Sequence, residues 1–506
     1  MKLKAKYIDM DTGEITALLH VDDCMEVGVH EQDRVRVKHE NDTVTAIVQT
    51  TDTFLMKGEI GLLGRAFTYI GPEPGELLDV IPTGKPDSVD YVRKKMDGQE
   101  LTEDEIHTIV GDIVSRSLSS VELAAYITAL HINGMNLRET ADLTNAMVET
   151  GEMIKFDRSP VFDFHSVGGV PGNKVTLIVV PIVAAAGLLI PKTSSRAISS
   201  AAGTADIVET FARVDFTAKD LKQIAERTGG IMAWGGGLNL APADDVIIRV
   251  EYPLGVDPHA QLLASVMSKK KAVNADFLLV DIPMGAGTKV PTMEMAKGYA
   301  RDFIELGERL EMKVDCAITY GGQPVGRAIG PALEAREALQ VLEGSKNPNS
   351  VIEKACGLAG ILLEMGGVPK GEERAMEILN SGAALAKFRE IVGAQGGNPD
   401  IKSADIVPGK LTYELVAKKS GYVKGIVNKQ IVKIARAAGA PKDKGAGVFL
   451  HAKEGTKVDA GQSLLTIYSE NDNKLQEAIG QARKLDPITI EGMVLERIPG
   501  FRTVHV

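Results

Sequence analysis

The sequence predicts a multidomain α/β protein: a small N-terminal β-barrel, a helical subdomain, a mostly parallel-sheet α/β domain and a C-terminal α+β domain of the barrel-sandwich kind. Three observations favour this fold class. Short strand-like segments separated by turn residues fill 1–84, capped helices follow over 88–155, and strand-like and helix-like segments alternate over 156–410. Over 411–506 the pattern returns to short strands.

The N-terminal segments that we interpret as strands are ITALLHV, RVRVKH, TVTAIVQT and AFTYIG. Each is rich in β-branched or aromatic residues, and turn formers such as DTGE, HEND and GPEPGE separate them. A linker is expected at IPTGKPDS, residues 81–88, because it combines glycine with two prolines.

Three capping boxes predict the helices of the next subdomain. A hydroxyl or amide side chain precedes a glutamate by three residues at Thr102 and Glu105, Ser119 and Glu122, and Asn136 and Glu139. Apolar residues at helical spacing follow, as in ELAAYITALHI. We expect a later segment, about 240–273, to join this helical subdomain.

Two strand-like segments of the α/β domain end in glycine turns, namely VFDFHSVGG and ADFLLVDIPMGAG. Ligands of parallel sheets bind beyond the carboxyl ends of the strands, so both glycine loops are expected at one site. The C-terminal segments GYVKGI and KEGTKVDAGQSLLTIYS resemble carrier modules but show no Met-Lys tip for biotin or lipoate, which favours a structural role.

Composition excludes several function classes. The net charge of −11 over 506 residues argues against a general nucleic-acid binder. Three separated cysteines suggest neither a disulfide framework nor a metal site. The N-terminus lacks an apolar signal core, and the longest apolar stretch, 175–190, is short for a membrane span and contains Pro181. We therefore expect a cytoplasmic protein with no membrane partner.

The most informative segment, 164–209, has a glycine- and hydroxyl-rich sequence at each end. Glycines let backbone N–H groups approach an anion closely. Hydroxyl donors and one guanidinium are available in the same segment: Ser166, Thr176, Ser194, Ser195, Ser199, Thr204 and Arg196. This combination predicts a phosphate-handling site, although the spacing of a Walker A loop is absent.

Three stretches resemble the thymidine and pyrimidine-nucleoside phosphorylases, whose helical and α/β domains are shared with anthranilate phosphoribosyltransferases: VRKKMDGQELTEDEI, HSVGGV…SSRAISSAAGT and SVMSKKKAVNADFLLVDIPMGAG. The first 84 residues are an extension relative to the bacterial nucleoside enzymes, and with the altered motif they resemble the archaeal AMP phosphorylases. Those enzymes cleave AMP, CMP and UMP with phosphate to the free base and ribose 1,5-bisphosphate. The resemblance implies inorganic phosphate as co-substrate, no other cofactor, and a homodimer or larger homo-oligomer.

The resemblance also implies roles for individual residues. Positions matching the attacking-phosphate site are Ser166, Gly168, Thr176, Ser194 and Thr204. Positions matching substrate-binding residues are Gly169, Ser195, Arg196, Ala197, Ile198, Ser199, Ser200, Thr204, Ser265 and Lys289. Asp257 matches the proposed proton donor to the leaving base, and Ser265 and Lys269 match base-contacting residues.

The chain departs from the nucleoside enzymes at several motif positions. Phe164 replaces a lysine, Pro171 is inserted in the glycine loop, and Ser195 and Ala197 replace glycines. The arginine that contacts thymine has no clear counterpart. These changes disfavour thymidine and fit a substrate that brings a second phosphate.

Two residues compete for the role of general acid. Asp257 would need a pKa raised by roughly 3 units, about 4 kcal/mol, to be protonated near neutrality. We expect its apolar sequence neighbours to supply part of this by burial: Leu254, Val256, Leu262 and Leu263. Alternatively, Asp257 is a loop residue that hydrogen-bonds its own backbone. His165 is the competing acid, or else a structural residue or a substrate contact.

Several charged residues admit two interpretations. Arg196 and Lys289 either bind a substrate phosphate or form ordinary ion pairs. Asp206 and Glu209 either open a helix or mark a magnesium site, and because no cluster has metal-ligand spacing we expect metal-independent catalysis.

Two alternative functions remain for the whole chain. One is a thymidine or uridine phosphorylase, and the other is a non-enzymatic carrier or assembly protein.

Overall fold

The protein is described by a computed structural model over residues 1–197, 200–494 and 496–498, except for the side chain of Arg65. The chain divides into two compact units. The first comprises Met1–Gly151 and Ala241–Ser268, and the second comprises Glu152–Leu240 and Lys269–Val506.

The first 84 residues form a closed six-stranded barrel, which confirms the N-terminal prediction. Its elements are β1 (Lys2–Ile8), β2 (Thr16–His20), α1 (Val21–Val27), β3 (Arg34–His39), β4 (Asp42–Thr51), β5 (Glu59–Leu63), α2 (Gly64–Ile70) and β6 (Leu77–Thr83). The strand order is β1-β5-β2-β4-β3-β6, closed by antiparallel pairing of β1 with β6. Alternate residues such as Leu3, Ala5, Val35 and Val37 fill the interior.

Two local predictions in this region are wrong. The segment AFTYIG forms most of helix α2, which Gly71 ends in the left-handed region at φ 53°. The barrel is already closed by the pairing of β1 with β6, so it offers no free edge to the aromatic segment, and tertiary context overrides β propensity. The predicted linker is shorter than expected because Ile81, Pro82 and Thr83 belong to β6.

The predicted capped helices are confirmed. They are α3 (Ser88–Met96), α4 (Glu103–Val114), α5 (Ser120–Asn133) and α6 (Leu137–Glu149). Thr102, Ser119 and Asn136 each form a complete capping box, in which the side chain and the third-residue glutamate exchange hydrogen bonds with backbone N–H groups. Each box satisfies backbone donors that a helix start would otherwise leave unpaired.

The remaining elements of the chain follow in order. They are β7 (Phe162–Ser166), α7 (Thr176–Ala185), β8 (Ile190–Ser194), α8 (Thr204–Val208), α9 (Ala218–Thr228), β9 (Gly230–Trp234), α10 (Pro242–Leu254), α11 (His259–Ala272), β10 (Phe277–Met284), α12 (Met293–Arg309), β11 (Lys313–Tyr320), β12 (Ala328–Ile329), α13 (Pro331–Leu342), α14 (Asn349–Met365), α15 (Gly371–Asn380), α16 (Ala383–Ala394), β13 (Leu411–Val416), β14 (Gly421–Ile426), α17 (Asn428–Ala437), β15 (Gly447–Leu450), β16 (Lys457–Val458), β17 (Ser463–Ser469), α18 (Asp472–Leu485) and β18 (Ile488–Glu491). Helix α10 returns to the first unit, where Ala243, Val246 and Ile247 share the hydrophobic core of the helical bundle.

Parallel pairing dominates the central part of the second unit, as predicted. Strands β11, β10 and β7 form one parallel sheet, and β8 pairs in parallel with β9. Helix α7 is apolar on all sides, so it lies inside the core of this unit rather than on its surface. A buried central helix is what holds the two ends of the glycine-rich segment in place.

The C-terminal part has its own core, built on a four-stranded sheet in the order β12-β15-β17-β13 and a three-stranded sheet in the order β16-β14-β18. Helices α17 and α18 pack on each other and on these strands. This mixed arrangement confirms the α+β prediction for the segment.

Candidate active site

The two glycine loops of the second unit meet at the carboxyl ends of β7 and β10. These strands are parallel, with His165 paired to Val280 and Ser166 paired to Asp281. Gly169 has φ 110°, and a Cβ atom there would lie 3.0 Å from the backbone nitrogen of Lys289. The close approach requires glycine at this position, since a side chain would collide with the second loop. Gly168 and Gly169 are exposed, so the loop backbone is open to a ligand.

Ser166 is held by a buried carboxylate that sequence reasoning missed. Its hydroxyl donates to Asp281 Oδ2 over 2.6 Å and accepts from Asn173 Nδ2 over 2.8 Å. Asp281 also accepts from the Thr319 hydroxyl and lies 2.9 Å from the Lys354 ammonium. The predicted hydroxyl donor therefore already has an acceptor within the protein.

The loop that follows β8 is organised by Asp206. The backbone N–H groups of Ala197 and Gly203 donate to Asp206 Oδ2 over 2.7 and 3.0 Å. Asp206 lies in the first turn of α8, as predicted, whereas Glu209 follows the last turn, so the prediction that both acids open this helix is wrong for Glu209. Ser194 at the end of β8 donates its hydroxyl to the carbonyl of Ala233 over 3.2 Å.

Arg196 forms ion pairs within the protein. Its guanidinium donates twice to Glu209, over 2.6 and 2.7 Å, and lies 4.8 Å from the centre of the Trp234 ring. Lys444 of the C-terminal part also lies 2.7 Å from Glu209. The hydrogen bond from Arg196 is the main cause that lowers the pKa of Glu209 to about 2. In this structure, Arg196 therefore forms ion pairs with residues of the protein itself.

The other predicted residues of the second unit lie as follows. Thr176 is buried at the first position of α7, Thr204 is half-buried at the first position of α8, Lys269 is half-buried on α11, and Lys289 is exposed in the second glycine loop. Ser195 and Ser200 belong to the loop after β8, and Ser200 accepts at its carbonyl from Arg436 over 3.0 Å. Ile198 and Ser199 lie outside the described residues.

A buried charged layer that no sequence motif marks lies under the carboxyl ends of β7 and β8. Asp163 of β7 accepts from Lys270 Nζ over 2.8 Å and lies 3.8 Å from Lys192 Nζ of β8. Asp163, Lys192 and Lys270 are all at least 96% buried. The signal that could have found this layer is a lysine in the middle of an apolar strand, as in LLIPKTS.

His165 is surrounded by positive charge. Burial is the first cause that lowers its pKa well below the usual value, and the charges of Lys270, Lys192, Lys269 and Lys289 lower it further. A neutral imidazole at pH 7 has no proton of ordinary acidity to give to a leaving base. This electrostatic setting disfavours His165 as the general acid.

Asp257 and Ser265 belong to the first unit. Asp257 is exposed in the segment between α10 and α11, and Leu254 beside it is 46% exposed, so the expectation of burial among apolar neighbours is wrong. Ser265 donates its hydroxyl to Asp244 Oδ2 over 2.9 Å, and Asp244, which is fully buried, also accepts from Gln261. The orientation of Ser265 is thus fixed by a carboxylate, as is that of Ser166.

Family models match three parts of the chain. Residues 89–151 match the helical bundle domain of a glycosyl transferase family, 158–385 match the a/b domain of that family, and 422–489 match the C-terminal domain of pyrimidine nucleoside phosphorylases. These ranges fall on the helical bundle, the parallel sheets with both glycine loops, and the C-terminal sheets.

Relatives match the chain over its length. AMP phosphorylase from Methanococcoides burtonii is 50% identical, covering 100% of both chains. AMP phosphorylase from Thermococcus kodakarensis and AMP phosphorylase 1 from Archaeoglobus fulgidus are each 52% identical, covering 98% of this chain and 99% of theirs. This chain belongs to the AMP phosphorylase family. The match extends through the N-terminal barrel, which the three domain models do not cover.

A solved structure of another enzyme shares part of this fold. Anthranilate phosphoribosyltransferase from Thermus thermophilus superposes with a TM-score of 0.51 at 21% identity, covering 61% of this chain and all of that one. The likeness concerns the fold alone. Across the described residues, no helix is long and apolar enough to cross a membrane, and no group of three His, Cys, Asp or Glu side chains is placed to hold a metal ion.

Proposed function

We propose that this chain catalyses the phosphorolysis of AMP, using inorganic phosphate to release adenine and form ribose 1,5-bisphosphate. The observation that carries the proposal is the identity of about 50% to AMP phosphorylases over essentially the whole chain. The meeting of two exposed glycine loops at the carboxyl ends of parallel strands supports an anion site on this scaffold.

The reaction exchanges one bond for another at C1′ of the ribose. A phosphate oxygen bonds to C1′ while the bond from C1′ to the base nitrogen breaks, and the base leaves with the electron pair. We assign the phosphate to the loop residues named for it: Ser166, Gly168, Thr176, Ser194 and Thr204. Preorganised backbone and hydroxyl dipoles suit this task because they need little rearrangement during the reaction.

The departing base needs a proton, since an adenine anion is a poor leaving group. We assign this proton to Asp257, because the resemblance points to it and the electrostatic setting of His165 disfavours the rival. Asp257 is exposed, so the assignment requires that bound substrate covers the carboxyl group. Desolvation by the substrate is then what raises its proton affinity.

The substrate also brings its own 5′-phosphate and its base, which the remaining predicted residues would bind. We assign them to Gly169, Ser195, Arg196, Ala197, Ile198, Ser199, Ser200, Thr204, Ser265 and Lys289, with Lys269 beside the base. For Arg196 this requires exchange of Glu209 for the substrate, and Lys444, 2.7 Å from Glu209, would keep that carboxylate paired. We also propose CMP and UMP as substrates, no cofactor beyond phosphate, and a cytoplasmic homodimer or larger homo-oligomer.

One parallel assay tests the proposal. Purified protein is incubated with phosphate and, in separate reactions, AMP, CMP, UMP, adenosine or thymidine, with phosphate-free reactions as controls. We expect free base and a bisphosphorylated sugar from the monophosphates only. Equal release from thymidine would replace this function with a nucleoside phosphorylase, and no phosphate-dependent product would favour a non-enzymatic role.

A further inference from the structure

The buried layer of Asp163, Lys192 and Lys270 carries more positive than negative charge. Lys270 Nζ lies 2.8 Å from Asp163 Oδ2, and Lys192 Nζ lies 3.8 Å from Asp163 Oδ1. In the described part of the chain, Asp163 is the one carboxylate within ion-pair distance of either ammonium. Two buried ammonium groups thus share a single counter-charge.

Asp163 cannot balance both ammonium groups. One of its oxygens also accepts the backbone N–H of Phe164 over 2.6 Å, and the shorter ion pair belongs to Lys270. Lys192 obtains its close hydrogen bond from a neutral acceptor, the carbonyl of Thr193 at 2.5 Å. Burial and the charge of Lys270 together lower the pKa of Lys192 to about 7, so its positive charge is complete only below that pH, and an anion bound nearby would favour the charged form.

An unbalanced buried charge is unfavourable unless something compensates it. Asp163 precedes His165 by two residues on β7, and Lys192 precedes Ser194 by two residues on β8. Two residues along a strand span about 7 Å, so the charged layer lies one side-chain spacing below the carboxyl ends where the phosphate loops begin. The residues proposed to hold the phosphate are serine, threonine and glycine, which carry no charge.

We propose that Lys192 is the residue that supplies positive charge to the phosphate site, acting from beneath the loops without contacting the anion. The inference rests on the proposed function for the identity of the anion, and it adds a residue that the phosphate-loop motif does not contain. In partly buried surroundings, a unit charge anywhere within about 7 Å of a phosphate is strong enough to change its affinity by at least tenfold. Lys192 therefore acts as a positioning residue for the attacking anion.

The test separates the effect of the Lys192 charge from the effect of its side-chain packing. Lys192→Met keeps a long side chain but leaves Asp163 and Lys270 as a neutral pair. Adding Asp163→Asn to it restores one net positive charge while changing a second buried residue. Lys222→Met is the matched control, because it removes a lysine charge from the surface of the same unit, where Lys222 pairs with Asp157 over 2.7 Å.

The measured quantity is the dissociation constant of inorganic phosphate, by calorimetry on each folded variant, together with KM for phosphate and for AMP. We expect Lys192→Met to weaken phosphate binding at least tenfold with a smaller effect on KM for AMP. The double variant should return to within about threefold of the unaltered protein, and Lys222→Met should not differ from it.

Two results would overturn the inference: unchanged phosphate binding in Lys192→Met, or a double variant as weak as the single one, which would indicate a packing role. Its failure is separable from that of the proposed function. If the unaltered protein releases no base from AMP, the function fails, while the phosphate-binding series still decides the role of Lys192.

Discussion

The hydroxyl of Ser166 donates to the carboxylate of Asp281 over 2.6 Å, between paired positions of two parallel strands. Asp281 is fully buried, and its counter-charge is Lys354 at 2.9 Å. A phosphate bound at the proposed site would therefore have to compete with a charged acceptor for the serine proton. The same carboxylate fixes where the serine oxygen lies, so the loop is already arranged before the anion arrives.

Replacing Asp281 should lower the free energy of unfolding by more than the loss of its hydrogen bond with Ser166 alone would. Asp281→Asn leaves the Lys354 ammonium buried without a counter-charge, a change that costs about 3–5 kcal/mol in other proteins. Urea unfolding measures the loss. Asp281→Asn combined with Lys354→Met removes both charges and should recover most of the stability, whereas a double variant as unstable as the single one would show that the ion pair is not the cause.

Gly169→Ala should reduce both stability and activity. The position has φ 110°, and the new methyl group would lie 3.0 Å from the Lys289 backbone nitrogen, so the two glycine loops would have to move apart. Gly187→Ala is the matched control, because Gly187 has φ 92° and a methyl group added there would meet no atom within 4 Å. Backbone strain of about 1–3 kcal/mol is common to both variants. Only Gly169→Ala should also raise KM for phosphate, and equal kinetics in the two variants would contradict this.

Glu209 should stabilise the folded protein in a pH-dependent way. Its pKa is about 2 when folded and near 4.5 when unfolded, so its contribution is present above about pH 4.5 and is lost as the pH falls toward 2. Glu209→Gln should therefore lower Tm at pH 7, and the difference from the unaltered protein should shrink between pH 5 and pH 3. Glu373→Gln, at an exposed ion pair with Lys370, should show no such difference.

The pH dependence of the reaction rate with AMP, measured over both its acidic and its basic limb, should identify the general acid. We expect Asp257→Asn to lower kcat at least a hundredfold, because general acid catalysis contributes about 10² to 10⁴. His165→Ala should lower the rate while preserving the shape of the profile, since a neutral His165 does not titrate near pH 7. Near-normal turnover in Asp257→Asn, or a titration near pH 6.5 that disappears in His165→Ala, would move the role to His165.

Local signals predicted most of the elements around the site. The capping boxes at Thr102, Ser119 and Asn136 act over three residues, and glycine turns after strands have a local cause as well, so both can be found in one sequence. The strand prediction for AFTYIG was wrong because the conformation of this segment depends on whether a sheet edge is free. A local sequence pattern carries no information about that. The predicted burial of Asp257 was wrong for a similar reason, because apolar residues that are its neighbours in sequence need not be its neighbours in space.

The order of domains, the two glycine loops and the hydroxyl-rich segment 164–209 were predicted from the sequence alone, because each depends on residue type and short spacing. The partners of the charged groups were decided only by the tertiary structure. Asp281 lies 115 residues from Ser166, and Lys270 lies 107 residues from Asp163. Such pairs form because parallel strands and helix α11 bring distant segments together at buried positions, where an unpaired charge would raise the free energy of the folded state.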